Sequence, residues 1–287
     1  MPIRSTARPS AFVTEPTDNE SRGYSQDVLK ADKQAARGSH CSVPAKKEVN
    51  AVTSVFEPRN FFLSALSPAE LARLRPYLTF HRLPQGLVLH EPGQRIEHVH
   101  FIDSGMISLV AMMQDGSAIE TATLGREAIL GSLSSLGHHR AGTRAIVQID
   151  ATAWRMPVTE FRTAAAQNAM LRKVALLSSE LTLAQMQQTA ACNALHTADR
   201  RLCRWIVQVR DRLDDDVIRL THDFLAQMLA VRRPTVSLIA YGLQQAGLIR
   251  YQRGKISILD REGLEQRACE CVGALREKTR LTIAEVG

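Results

Sequence analysis

The chain has no apolar run approaching the roughly 20 residues that a membrane-spanning helix needs, and its charged N-terminus lacks the apolar core of a signal peptide. A cytoplasmic protein with no membrane partner is therefore expected. Its five cysteines, Cys41, Cys192, Cys203, Cys269 and Cys271, include no C-x-x-C pair, which argues against a disulfide framework and against a zinc site. No metal and no cofactor are expected. Residues 1–57 hold few large apolar side chains and no sustained period, being rich in Ser, Thr, Pro, Ala and mixed charge. Such a segment cannot bury enough surface to offset ordering entropy, so a disordered tail is expected, Lys46 and Lys47 lying on it as solvated charges.

What remains is ordinary for a globular protein of about two domains: 287 residues, 45% hydrophobic and 23% charged. The net charge of +7 suits a polyanionic partner without identifying one.

The most informative stretch runs from Leu220 to Ile249. Thr221 can cap a helix whose first turn holds Asp223, and Leu225, Met228 and Leu229 make one buried stripe three and four residues apart. Ala230 to Arg233 break that helix. Pro234, with no N–H and a preset φ, belongs in the first turn of a second helix that buries Val236, Ile239, Ala240 and Leu243 and ends near Gly247. Two short helices joined in this way form a helix-turn-helix. The second helix presents Arg233, Ser237 and Tyr241 at intervals of four, flanked by Arg232, Thr235 and Leu238, groups that can meet phosphates or base edges. Arg250 to Lys255 then lie in a tight basic hairpin, a wing whose turn sets Arg253 and Lys255 beside a sugar-phosphate backbone. Ala230 occupies the turn position that favours glycine, and Gly242 interrupts the second helix; each costs about 1 kcal/mol.

These residues resemble the Crp/Fnr family of bacterial transcription regulators over roughly residues 60–270. The family opens its second helix with Ser-Arg-Glu-Thr-Val, and here Arg232-Arg233-Pro234-Thr235-Val236 stands in its place. The resemblance implies a base contact for Arg233 and a phosphate contact for Thr235, while Pro234 and Leu238 depart from the family pattern and point to a different operator. It also implies as partners a pseudo-palindromic double-stranded DNA operator, a second copy of the chain, RNA polymerase and a small-molecule effector. Cys41 alone does not match the N-terminal cysteine cluster of the family's iron-sulfur sensors.

From Leu78 to Met156, short apolar runs alternate with glycines at roughly ten-residue spacing, the pattern of a small all-β domain. Strands are expected at Leu87–His90, Val99–Ile102, Met106–Met113, Ile119–Leu124 and Ala145–Ile149, with Asp115-Gly116 as a turn. By resemblance this is the cyclic-nucleotide-binding jelly-roll β-barrel. Nucleotide-binding members hold the ribose and cyclic phosphate with a Gly-Glu and an Arg-Ser pair; the nearest match here is Gly131-Ser132 and Thr143-Arg144. The carboxylate is missing and Arg144 is one residue out of register, so cyclic AMP is not the expected effector. His98-x-His100 could begin a cupin-type metal site, but the rest of that set is absent and His138-His139 lie in a polar loop. Val99 and Phe101 are expected in the core, with His98 and His100 on the surface.

Phe161 to Asp199 is expected to be one long helix, with Met170, Val174, Leu177, Leu181, Ala184, Gln188, Ala191 and Leu195 alternating steps of four and three. Such a seam suits a two-stranded coiled coil, and Gln188 is its lone polar member, able to fix register or touch a ligand. One helix packed on its own β-domain is the alternative. Arg200, Arg201 and Arg204 follow as a basic stretch, with the domain hinge near Thr197 to Arg200. The expected architecture is α+β: a tail over 1–57, a β-barrel sensor over 58–160, a dimerisation helix over 161–199 and a winged helix-turn-helix over 200–287. A homodimeric, effector-responsive regulator with no catalytic residues fits this order. The competing readings are a cupin-like metalloenzyme and a barrel scaffold without ligand.

Overall fold

Phe56, two residues inside the expected tail, is already packed, its ring meeting Trp154 edge-on at 4.8 Å. The computed structural model describes residues 56–213 and 215–286; the rest of the tail, with Cys41, Lys46 and Lys47, lies outside the described residues. Asn60 is fully buried and ties this end down, donating through Nδ2 to the carbonyls of Ile102, Arg126 and Ala128 while its Oδ1 caps the short helix α1 (Phe61–Ser64). Helix α2 (Pro68–Leu74) starts with the expected capping box, Ser67 and Glu70 satisfying one another's backbone N–H groups.

Six antiparallel strands follow: β1 (Thr79–Leu83), β2 (Val88–His90), β3 (His98–Met112), β4 (Ala118–Leu124), β5 (Ile129–Leu130) and β6 (Arg144–Pro157), with helix α3 (Ser132–Leu136) after β5. Their order is β1-β6-β3-β4, β2 pairing with β6 and β5 with β3. The two strands expected at Val99–Ile102 and Met106–Met113 are one continuous strand. Gly105 bends it at φ 77°, where an added Cβ would stand 2.2 Å from the Asp150 carbonyl oxygen, so only glycine lets β3 turn while still paired to β6. Val99 and Phe101 are fully buried as expected, but His100 is buried too, at 8% exposure. β3 lies between β5 and β6 there, with Leu130 and Arg155 opposite His100, so it is an inner strand rather than a surface one.

The expected long helix is broken twice. Helix α4 (Val158–Gln167) ends at Asn168, whose side chain caps the next helix by accepting from the Leu171 N–H at 3.0 Å. Helix α5 (Ala169–Leu195) stops at His196, which is extended, and α6 (Ala198–Leu213) restarts at once.

The apolar seam on α5 is real, but its partner is in the same chain. Val174 is fully buried and Leu181 is 7% exposed, packed with Phe161, Trp154 and Val286, while Met170 and Leu177 lie against the same cluster. The last helix, α10 (Cys271–Ala284), runs antiparallel along this face: Gln188 donates to Cys271 Sγ at 3.0 Å and Lys173 Nζ to the Glu285 carbonyl at 2.7 Å. Val174 and Leu181 are therefore core residues, and Ala191 and Leu195 are exposed past the end of that core. The face α5 leaves to solvent carries Leu176 and Leu183, 50% and 55% exposed.

The C-terminal part adds β7 (Val217–Arg219), α7 (His222–Leu229), α8 (Arg233–Gln245), β8 (Ile249–Gln252), β9 (Lys255–Ile258) and α9 (Arg261–Arg267), with a three-stranded sheet ordered β7-β9-β8. Its core centres on α6, where Leu202, Trp205 and Ile206 meet Leu225, Val236, Leu243 and Leu264. Because α6 is covered nearly all round, Arg201 and Arg204 are buried at 8% and 6% exposure rather than forming a solvent-facing basic stretch. The β-domain joins this core: Met106 belongs to it, and Trp205 Nε1 donates to Glu120 on β4 at 3.2 Å. Burial pushes the Glu120 carboxyl up to about 7, and Ser108 donates to its other oxygen. Arg212 and Glu127 form a second tie at 2.6 Å, each side chain 14% exposed.

Candidate nucleic-acid interface and ligand cavity

Thr221 caps α7 through its side-chain oxygen, which accepts the Phe224 N–H, and Leu225, Met228 and Leu229 are all buried. Ala230 ends α7 in the left-handed conformation, φ 49° and ψ 47°. The turn geometry is thus kept without glycine. Pro234 sits in the first turn of α8, which buries Val236, Ala240 and Leu243. Its outer face leaves Arg233, Pro234, Thr235 and Ser237 exposed, together with Leu238 at 72% and Tyr241 at 59%; Arg232, the N-cap, is exposed as well. Two large apolar side chains in solvent beside guanidinium groups, on a helix with a complete core on its other side, mark a contact face.

The wing turns through Arg253 (φ 50°) and Gly254 (φ 74°), the two positive values that a two-residue turn of type I′ requires. Arg253 and Lys255 are both exposed at this tip. Three residues that the sequence did not single out fix the wing to the helices. Tyr251 donates its hydroxyl to the Leu220 carbonyl at 3.1 Å and its N–H to Gln244 at 2.8 Å, and its ring stacks on His222 at 4.2 Å. Ser237 Oγ in turn lies 2.9 Å from His222 Nδ1, so this hydroxyl also orients α8 against α7. An inward-facing aromatic on a short strand was the available signal.

The left-handed Ala230 and the mid-helix Gly242 lead to a paired expectation. Ala230→Gly relieves backbone strain, and Gly242→Ala adds a methyl group into open space while improving helix propensity. Each should raise unfolding free energy by about 0.5 to 1 kcal/mol. Urea denaturation of the two variants checks this, and a loss of stability in either would show that its backbone is not as described.

A cavity of about 580 Å³ lies between the β-domain and α5. Gly131, Ser132 and Thr143 line it, together with Leu109, Leu130, Leu176, Leu183 and Met186. The other two expected ligand residues are elsewhere. Arg144 points to Glu91, donating from Nε at 2.8 Å, as its place in the strand register demands, and Gln188 is held by Cys271 at the α5–α10 contact. Ser132 is itself engaged, donating to the Ile129 carbonyl at 3.0 Å. Among the described residues, Glu180 and His90 are the titratable side chains of the lining, and burial holds His90 below the ordinary imidazole value. Among those residues the lining therefore offers no Lys or Arg to a phosphate.

The histidines of β3 do not assemble a cupin-type centre: the His98 and His100 rings are 6.4 Å apart, and burial, with the nearby His98 and Arg155, pushes His100 down to about 3. Among the described residues, the one compact group of metal-ligating side chains is instead Cys192, His196, Cys269 and Cys271. The cysteine spacing gave no hint of it, because its two halves are 77 residues apart.

Residues 80–168 match the family model of the cyclic nucleotide-binding domain, and residues 200–267 match that of the Crp-like helix-turn-helix domain. A comparison with curated proteins gave no match. Among solved structures, FixK2 of Bradyrhizobium japonicum aligns at 15% identity and a TM-score of 0.58, over 67% of this chain and 98% of its own. A CRP/FNR-family transcriptional regulator from Thermus thermophilus aligns at 22% identity and 0.56, over 66% and 97%. The regulator CLP of Xanthomonas campestris, described as c-di-GMP responsive, aligns at 14% and 0.56, over 67% and 99%. At these identities the likeness is one of fold. Among the described residues, no helix is long and apolar enough to cross a membrane.

Proposed function

We propose that this chain, by its two matched domains a transcription regulator of the Crp/Fnr type and not an enzyme, binds a pseudo-palindromic DNA operator as a homodimer under the control of an uncharged, largely apolar effector. The observation that carries the DNA reading is the outer face of α8, where Leu238 and Tyr241 stand in solvent beside Arg233 while the opposite face is fully packed. Arg233, Ser237, Leu238 and Tyr241 would enter the major groove, with Arg232, Pro234, Thr235, Arg253 and Lys255 along the backbone.

The second copy is assigned to the free face of α5. Leu176, Ser179, Leu183, Met186 and Ala190 step by three and four along it, a coiled-coil spacing about two-fifths of a turn from the seam buried within the chain. Leu176 and Leu183 also line the cavity, so a partner helix would close its mouth and an effector would bear directly on the pairing. This gives residues 58–160 the sensing role, α5 the pairing role and the chain beyond Thr197 the DNA-reading role.

Selection of bound sequences from a random duplex pool tests the DNA reading and the symmetry together. Enriched sequences should be two-fold symmetric with half-site centres about 34 to 36 Å apart. An enriched site with a single half, or no enrichment, would count against it. The effector reading has its own check. Cyclic AMP should show no micromolar binding by calorimetry, since Ser132 stands where the ribose carboxylate is expected and the Arg144 guanidinium is turned to Glu91. Micromolar binding would overturn that reading and leave the DNA reading standing.

A further inference from the structure

Two pairs of residues remote in sequence meet where α5 ends. Cys192 and His196 stand one helical turn apart at that end, and Cys269 and Cys271 flank the junction of α9 and α10. The three thiols form a small buried cluster of their own, at 0%, 2% and 0% exposure. Their sulfurs and one His196 ring nitrogen all lie within 4.8 Å of one another. Cys192 Sγ is 3.5 Å from Cys269 Sγ, and His196 Nδ1 is 3.6 Å from Cys271 Sγ. A tetrahedral zinc ion, with Zn–S of about 2.3 Å and Zn–N of about 2.0 Å, sets its ligand atoms roughly 3.5 to 3.8 Å apart. The Cys192–Cys269 and Cys271–His196 separations match those edges, and the remaining pairs, all within 4.8 Å, need at most about 1 Å of closure.

The surroundings supply what such ligands need. His196 Nε2 is 3.0 Å from the Glu270 carboxylate, which holds the ring with its N–H outward and the Nδ1 lone pair toward the cysteines. Gln188 Nε2 donates to Cys271 Sγ at 3.0 Å, a bond that favours a thiolate acceptor. Three thiolates around a divalent ion leave one net negative charge, and the buried guanidinium groups of Arg201 and Arg204 lie close enough to act on these sulfurs. Arg201 donates to Asn193 from one nitrogen, and its buried Nε faces no protein acceptor.

We propose that Cys192, His196, Cys269 and Cys271 bind one tetrahedral divalent ion of the zinc class. Three sulfurs and one imidazole suit zinc by softness and geometry, and four protein ligands leave no open position, so the site is structural rather than catalytic. A multi-iron cluster would hold its cysteines farther apart than these four atoms stand. The ion clips the last turn of α5 to the segment between α9 and α10, closing the stretch of chain that contains the winged helix-turn-helix. The winged domain is thereby pinned to the helix assigned to pairing.

The test uses the full chain purified without added metal and does not involve DNA, so its outcome is separate from that of the DNA reading. Elemental analysis should give one zinc per chain. Cobalt substituted for it should show a thiolate charge-transfer band in the near ultraviolet and the intense visible bands of a tetrahedral site. Cys269→Ser and Cys271→Ser should lose the ion, Glu270→Gln should weaken it about 10-fold or more, and Cys203→Ser, a buried thiol outside the group, should keep it. Should the cysteine variants fail to fold, the wild-type stoichiometry and cobalt spectrum decide alone. A folded wild-type chain with no metal that takes up no cobalt overturns the proposal. So does a Cys192–Cys269 disulfide in metal-free protein, which would make the pair a redox element, and so does iron with acid-labile sulfide.

Discussion

Leu181→Asp is expected to unfold the chain, whereas Leu183→Asp, two residues on, is expected to leave it folded and monomeric. Leu181 is 7% exposed inside a cluster that includes Val174 and Val286. Its replacement forfeits about 2 to 3 kcal/mol of apolar burial and sets a carboxylate against the apolar side chains of that cluster, a further cost of several kcal/mol. The sum is comparable to the roughly 5 to 15 kcal/mol that stabilises a typical domain. Leu183 is 55% exposed, so an aspartate there should change the stability of the single chain by about 0.5 kcal/mol or less. In a dimer paired through the free face of α5, it would lie near its symmetry mate in an apolar seam, where two carboxylates repel and lose water. Circular dichroism should show native helix content for Leu183→Asp and little for Leu181→Asp, and sedimentation should report a monomer for the former. A folded, monomeric Leu181→Asp would restore the seam read from the sequence. A Leu183→Asp variant that still sediments as a dimer would remove α5's outer face from the interface.

The contrast between these two leucines shows where sequence reading succeeds and where it stops. Heptad spacing of Val174, Leu177, Leu181 and Gln188 correctly marks a helix-packing seam, because period is a local property of the chain. What fills it is not local. Val174 and Leu181 pack on the chain's own β-domain, with Trp154 and Phe101, while α10, nearly a hundred residues away, meets the seam at Gln188, and the same pattern serves an intramolecular or an intermolecular contact equally well. The helix-turn-helix was legible almost residue by residue, since its signals (the Thr221 cap, the break at Ala230, Pro234 in the first turn, the positive-φ turn of the wing) each act within a few residues. The burial of Arg201, Arg204 and His100 was not legible. Those side chains look like surface by type, and they are enclosed only because α6 and β3 are covered on all sides by elements distant in sequence. The cysteine–histidine group is the extreme case: each half is too sparse to notice, and only the fold brings the halves together. In the cavity the position was legible and the chemistry only in part. Gly131, Ser132 and Thr143 line it, while the register that turns Arg144 outward to Glu91 was foreseeable from strand alternation.

Arg233→Ala and Lys255→Ala are expected to weaken DNA binding in different ways, and the difference decides whether α8 reads bases. Arg233 is exposed in the first turn of α8, the end that a helix-turn-helix directs into the major groove, and a guanidinium there can pair with guanine O6 and N7 through two parallel bonds. Losing it should remove most of the preference at one base pair in each half-site. Lys255 lies in the wing next to the Arg253-Gly254 turn, and an ammonium group can meet phosphate only as a point charge. Its loss should weaken every sequence about equally and reduce the slope of log K against log salt by about 0.9 per contact. The measurement is a salt titration of both variants on the selected operator and on one altered at a single base pair per half. For the wild type, that alteration should cost about 1 to 3 kcal/mol per base pair. Arg232 is the natural competitor, exposed at the N-cap of the same helix and suited to phosphate. If Arg233→Ala keeps the wild-type discrimination and merely lowers the salt slope, Arg233 is a second phosphate contact. Base reading would then fall to the next exposed side chains of α8, Ser237 and Tyr241, with Leu238 against a thymine methyl group.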